Sequence, residues 1–286
     1  KNYVRDKHKG VLHNAHIADD GYKALYPMKK GYIYGTTTYE KGAIVTQMLR
    51  HYIGNDLFFE TVRQYLKDYE FKNISTPELQ AYLTTKTGID LKPFFDAWVY
   101  RPGFSTFIVD SFKVSNNDIN KYFVDVYFTQ KLKGTTDYAT HNKFEVLFIG
   151  ENGIEKLDTV QFADIHSHEQ FELEFEPKSI LIDPNYKTAF ATTKRQINIK
   201  SKGNITLDDV LCRLEVEKVK SDSAQIIIQH HWIAPENDKI DEGTQVFRMS
   251  DYRYWEIDGS NLENAKINCR FQYNKTTGTS GNLDNN

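Results

Sequence analysis

Residues 34–49 read YGTTTYEKGAIVTQML: a loop of small and hydroxyl side chains runs into Tyr39, and an amphipathic helix begins at once. A tyrosine phenol has an ordinary pKa of about 10, so at neutral pH it carries its proton and can donate a hydrogen bond. At this junction Tyr39 is either an ordinary packing residue at a helix start or a donor aimed at something outside the helix. The nine histidines are further groups able to do chemistry. His13 and His16 have an i,i+3 spacing, but the sequence around them reads as a polar, solvated helix or loop. His166 and His168 alternate on a strand edge and face one side, with no carboxylate or cysteine to complete a ligand set. His230 and His231 are neighbours on a strand and point to opposite faces, so they do not easily share one ion. One is expected to pack with Trp232 and the other to be exposed. In DYRYWEID (residues 251–258) aromatics and charges resemble a sugar-binding platform. A strand with Tyr252, Tyr254 and Glu256 on one face, Arg253 and Trp255 on the other, accounts for them more simply.

Composition narrows the possibilities. With 286 residues, 40% hydrophobic and 26% charged, the chain has enough apolar sequence for a core and enough length for two or three domains. A net charge of −3 gives no basic footprint, so nucleic acid is not an expected partner. No window approaches eighteen uninterrupted apolar residues, so no transmembrane helix is expected. Cys212 and Cys269 lack a C-x-x-C spacing. They pair only if the C-terminal strands bring them together, and two separate buried thiols are the simpler reading. Asn73, Asn204 and Asn274 fit the N-x-S/T pattern, which is common by chance. The first ten residues hold neither an apolar signal region nor an initiator Met, and the last nine are polar. The expectation is a piece of a longer protein.

The elements that must position Tyr39 are helical up to about residue 103. Ile44, Met48 and Tyr52 recur every four residues beside Val45, Leu49 and Ile53, a wide apolar stripe closed by Gly54. Asn55 can cap the next helix, whose Phe58, Val62, Tyr65 and Leu66 share a face. Ser75 and Glu78 have capping-box spacing around Pro77, and that helix runs through Leu79 and Leu83 to Gly88. Asp90 starts a fourth, with Leu91, Phe94, Phe95 and Trp98 inward, and RPGF (residues 101–104) ends the helical region. From Phe104 the period changes to two. KYFVDVYF, KFEVLFIG, FELEFE and SILIDP are strands separated by turn clusters, as in a β-sandwich of residues 104–193. Residues 194–286 are again β-rich, with strands in INIK, AQIIIQHHWIA, TQVFRMS, YRYWEID and KINCRFQYN. NITLDDVLCRL is expected to form a short helix capped by Thr206.

The helical landmarks are also co-linear with a known pattern. Y-E-K-G-A at residues 39–43, the Met48–Leu49 pair, IGND around Gly54, Phe58, YLKDYEFKNISTPEL and TGIDLKPFFDAWVYRPGF follow one another at family spacing. Over residues 32–107 the chain resembles the second half of the catalytic domain of the aminopeptidase N family of zinc metallopeptidases, the gluzincins. Ser105 departs from the pattern at a structural position where the family often has Pro.

The resemblance implies a multidomain α+β fold. Residues 1–103 would be the helical half of a thermolysin-like catalytic domain, followed by an Ig-like β-sandwich and a further β-rich domain expected to be truncated at the chain's end. It implies that Tyr39 donates its phenolic proton to the oxyanion formed when water attacks a peptide carbonyl. Tyr34, five residues earlier, either lines the same cleft as a substrate-binding residue or rests on the helix as a loop tyrosine. The implied substrate is a peptide and the implied cofactor is zinc, held by H-E-x-x-H and a glutamate on the next helix. That motif is absent from the sequence. The chain by itself is therefore expected to bind no catalytic zinc and to be inactive, with the metal site supplied upstream. A second reading is a non-catalytic relative or cell-surface binding module that uses the β domains. The β-rich architecture favours export, in a bacterial cell envelope or periplasm.

Overall fold

The computed structural model describes residues 2–118, 121–219, 224–235, 253–263 and 265–272. The expected strand TQVFRMS, Tyr252 and Asn274 lie outside them. The chain is mixed helix and sheet, helices first. Helix α2, Gly42–Ile53, buries Ile44, Val45, Met48, Leu49 and Ile53, the stripe its period predicts. Gly54, at φ +100°, turns the chain into α3, Asn55–Asp68. Asn55 is the first helical residue and not a cap, because its side-chain oxygen accepts from Arg50 Nε at 2.8 Å. Phe58 and Thr61 centre the buried arc of α3, so Leu66 falls on the rim and is 63% exposed, against expectation. Helix α4, Thr76–Thr87, starts at the expected box: the Ser75 N–H donates to Glu78 Oε2 at 2.7 Å. It closes on left-handed Gly88. Helix α5, Lys92–Phe95, runs into a π-helical turn, Asp96–Tyr100, and buries Leu91, Phe94, Phe95 and Trp98.

Helix α1, Asn2–Ala18, differs from the solvated segment expected around His13. Val11 and Leu12 are fully buried and His8 is 1% exposed. The reason is long-range. Arg5 Nε lies 3.6 Å from Asp209, His8 Nε2 donates to the Phe190 carbonyl at 2.6 Å, and the His13 ring meets Trp232 edge-on at 5.6 Å. Burial, reinforced by the Lys194 ammonium, pushes the His8 imidazole down to about 4. Its folded value lies below the ordinary 6.5, so the stability tied to neutral His8 is complete above pH 6.5. It is lost as the pH falls through 4, a loss on the order of 3 kcal/mol. Urea midpoints from pH 7 to 4 measure this. His8→Gln should flatten the decline, and an unchanged slope would remove His8 as its cause.

Six antiparallel strands follow: β1, Phe104–Asp118; β2, Lys121–Lys133; β3, Asn142–Gly150; β4, Glu155–Phe162; β5, His166–Leu173; and β6, Pro177–Ile182. They form two sheets, in the orders β1-β2-β5 and β4-β3-β6. Phenylalanines of the two sheets meet: Phe107 stacks on Phe144 at 4.9 Å, and Phe148 meets Phe171 at 4.7 Å. Trp98 and Phe107 both reach Phe190, so the same apolar cluster continues into the helices. The turn after β6 is organised by Asp183, which is fully buried. Its carboxylate accepts from the Lys187 N–H at 2.7 Å and the Thr188 hydroxyl at 2.7 Å, and Lys194 Nζ stands 3.5 Å away.

The last six strands are β7, Thr192–Ile199; β8, Gly203–Leu207; β9, Cys212–Lys218; β10, Ala224–His231; β11, Tyr254–Ser260; and β12, Lys266–Phe271. They pair as β11-β10-β7 and β12-β9-β8. Thr206 caps no helix: NITL and CRLEVEK pair as an antiparallel hairpin, with Thr206 opposite Arg213. Cys212, Leu214 and Val216 turn inward while Arg213 and Glu215 turn out, a period of two that outweighs the capping residue. Both histidines of β10 are buried, where one was expected outside. Ile226 and Ile228 face one cluster and Ile227 faces another, so this strand has no solvent side. Cys212 and Cys269 are free thiols on neighbouring strands, offset in register: Cys269 faces Leu214 and Cys212 faces Phe271. Among the described residues no helix is long and apolar enough to cross a membrane.

Candidate active site

Tyr39 sits in a π-helical turn, Thr37–Lys41, directly ahead of α2. Three consecutive side chains leave this turn in three directions. Tyr39 points to solvent and is 60% exposed. Glu40 turns to α1, where Lys7 Nζ meets its carboxylate at 2.8 Å. Lys41 turns inward and is 1% exposed. Such a single π-turn re-aims side chains relative to a regular helix, and π-turns recur at functional sites.

Both ends of the turn are held by buried charges. Asp19, 2% exposed, accepts from the Thr36 N–H at 3.2 Å and the Thr37 N–H at 2.6 Å. It thereby satisfies two of the N–H groups that a helix start leaves without partners. Residue 35 must be glycine for this, since a Cβ there would overlap the Asp19 carboxylate. At the other end Lys41 Nζ donates to the Gly103 carbonyl at 2.9 Å, with the Lys23 and Arg101 carbonyls at 3.5 Å. The Phe104 ring lies 4.8 Å from the ammonium. Burial pushes the Lys41 ammonium down to about 7.

Gly103 is as constrained as its partner. It has φ +70°, and a Cβ would run into the backbone of Lys133 and Gly134. Gly103→Ala should therefore cost about 1–3 kcal/mol through backbone strain, read as a lower thermal midpoint. An unchanged midpoint would show that the junction relaxes without penalty.

Tyr34 is 84% exposed on the loop before the turn, and no ring contact joins it to Tyr39. The Tyr39 hydroxyl has no hydrogen-bond partner among the described residues. The histidines of the strands make their contacts elsewhere. His166 Nδ1 meets the Thr129 hydroxyl at 2.8 Å, and His168 Nε2 meets Asp125 at 2.8 Å. His230 is stacked between Trp255 at 4.2 Å and Trp232 at 4.4 Å, while His231 contacts Thr192 and Glu256. Trp255 is committed to packing: its second neighbour is Phe271, and its Nε1 donates to the Val210 carbonyl at 2.7 Å. No group of three or more His, Cys, Asp or Glu among the described residues is placed to hold a metal ion.

Asp19 and Lys41 escape a reading of the sequence. Asp19 acts on backbone 17 and 18 residues away, which leaves no local signature. Lys41 did leave one. With Val45 and Met48 it falls on the apolar face of the helix, and a lysine on such a stripe is either misplaced or tied to something inside.

Residues 11–98 match the Peptidase family M1 domain. "Aminopeptidase M1-B" of Oryza sativa subsp. japonica is 32% identical over 72 residues, 25% of this chain and 8% of that protein. "Probable aminopeptidase 1" of Saccharolobus solfataricus is 23% identical over 143 residues, 49% of this chain and 17% of that protein. The crystal structure of Legionella pneumophila aminopeptidase A in complex with aspartic acid aligns over 55% of this chain and 18% of that one, at 20% identity and a TM-score of 0.42. The chain spans 8% to 18% of the length of these proteins. The matched segment is the one that contains Tyr39, Lys41 and the packed helices that follow, and over it the chain is similar to the M1, or aminopeptidase N, peptidases.

Proposed function

We propose that this chain is part of a zinc-dependent aminopeptidase that hydrolyses the N-terminal peptide bond of peptides, with Tyr39 as the oxyanion-stabilising donor. The observation that carries the proposal is a phenol held in solvent on a turn clamped by buried charges, inside the segment that matches the family. As water adds to the scissile carbonyl, negative charge gathers on its oxygen. A fixed O–H donor aimed at that oxygen acts on the transition state more than on the substrate, and such donors contribute about 10²–10³ in rate. Zinc and a general base for the attacking water are assigned to residues outside this chain, since the sequence holds no H-E-x-x-H. Tyr34 would line the same cleft. The thermolysin-like character of the helices, the sandwich character of residues 104–193, the divisions at residues 103 and 193, and export to a bacterial cell envelope belong to the same proposal.

The test is hydrolysis of aminoacyl anilides. The full-length protein should cleave them and lose the activity to a chelator, while the present chain alone should not cleave them. Chelator-sensitive cleavage by the present chain would overturn the division of labour. A full-length protein that lacks the activity would overturn the enzyme reading. A non-catalytic module that reads glycans would need an open aromatic platform, and the Trp255 ring is already stacked on His230 and packed against Phe271.

A further inference from the structure

We infer that Asp19 and Lys41 are positioning residues that set the direction of the Tyr39 phenol; this rests on the role proposed for Tyr39. The phenol has no partner of its own to orient it among the described residues. Its direction is therefore inherited from the backbone of residues 37–41. That backbone is a π-turn, a rare departure from the α-helix, at an end where fraying is ordinary. Two buried charges hold it from opposite sides. The Asp19 carboxylate grips the Thr36 and Thr37 N–H groups, three and two residues before Tyr39. The Lys41 ammonium grips the Gly103 carbonyl, on the far side of the helical region, two residues after Tyr39.

Stability alone does not call for this choice. A neutral Ser or Asn caps a helix start about as well as Asp does, and a buried lysine without a carboxylate is a costly way to fill a core. What the pair provides is direction. A carboxylate bonded to two adjacent N–H groups fixes the entry of the chain, and an ammonium reaching a carbonyl of left-handed Gly103 fixes its exit. Displacement of a reacting group by about 1 Å can lower a rate about 10²-fold.

The experiment uses the full-length protein and a double-mutant cycle. Asp19→Asn keeps the volume but removes one acceptor, and Lys41→Met keeps the length but removes the donor. Each should lower kcat about 10²-fold with KM nearly constant. On a Tyr39→Phe background each should lower kcat little further, because groups acting through one atom are not additive. An equal loss on both backgrounds would overturn the inference. Should Lys41→Met fail to fold, Asp19→Asn alone decides the outcome. A second readout is independent of catalysis. 3-Fluorotyrosine placed at position 39 should give one narrow ¹⁹F resonance that shifts or broadens in both variants. If Tyr39→Phe leaves kcat unchanged, the proposed role of Tyr39 fails. The resonance then judges the clamp by itself, and an unaltered resonance would overturn it.

Discussion

Tyr39→Phe in the full-length protein lowers kcat about 10²–10³-fold and leaves KM close to its original value. The substitution removes one hydroxyl from a ring that is 60% exposed and touches no partner, so its effect on folding should be small. That separation makes the experiment decisive. A donor used only when charge develops on the substrate oxygen is absent from substrate binding and appears in the rate. Steady-state kinetics on an aminoacyl anilide with parallel thermal melts measure both quantities. An unchanged kcat would take Tyr39 out of the chemistry and leave it as a surface residue. A fall in kcat/KM carried wholly by KM would recast it as a binding residue.

Asp183→Ala should remove about 3–5 kcal/mol of stability. The Lys194 side chain is 3% exposed, and its Nζ would keep the Ile182 carbonyl at 2.7 Å and the Tyr186 ring at 5.3 Å but no anion. Burial already pushes the Lys194 ammonium down against the pull of Asp183, so an uncompensated buried charge remains once the carboxylate is gone. The Lys187 N–H and the Thr188 hydroxyl lose their acceptor as well. Urea unfolding of the single variant and of Asp183→Ala/Lys194→Met separates the terms. The double variant should recover part of the loss, since replacing a buried ion pair by apolar groups is often close to neutral. Equal destabilisation in both would place the cost in the turn and not in the charge.

How much of this was legible in the sequence depended on how far each signal had to reach. The end of α2 and both ends of α4 are written locally, in Gly54, the Ser75–Glu78 pair and Gly88, and they appear where the spacing puts them. The inward set Leu91, Phe94, Phe95 and Trp98 needs only a helical period, and the strands from Phe104 need only alternation. The misreadings share a different cause. Thr206 looked like a cap because capping residues and strand residues overlap, and its pairing with Arg213 decided the matter across a hairpin. One histidine of β10 was expected outside because alternation assumes one wet face, and neither face of β10 is wet. The Asp19 end of the Tyr39 turn was out of reach for the same reason, and at the other end Lys41 stood out on an apolar face while its carbonyl partner lies 62 residues away.

Distance along the chain also governs how the first helix is made. His8 and its carbonyl partner Phe190 are separated by 182 residues. At roughly 5–20 residues per second, a ribosome needs about 10–35 s after releasing α1 before that partner exists. Throughout this interval α1 lacks the Phe190 carbonyl for His8 and its contact with β7, so nascent α1 is a natural client for a holdase chaperone. The lateness of α1 docking, more than the stability of the finished fold, is then expected to set the yield of soluble protein.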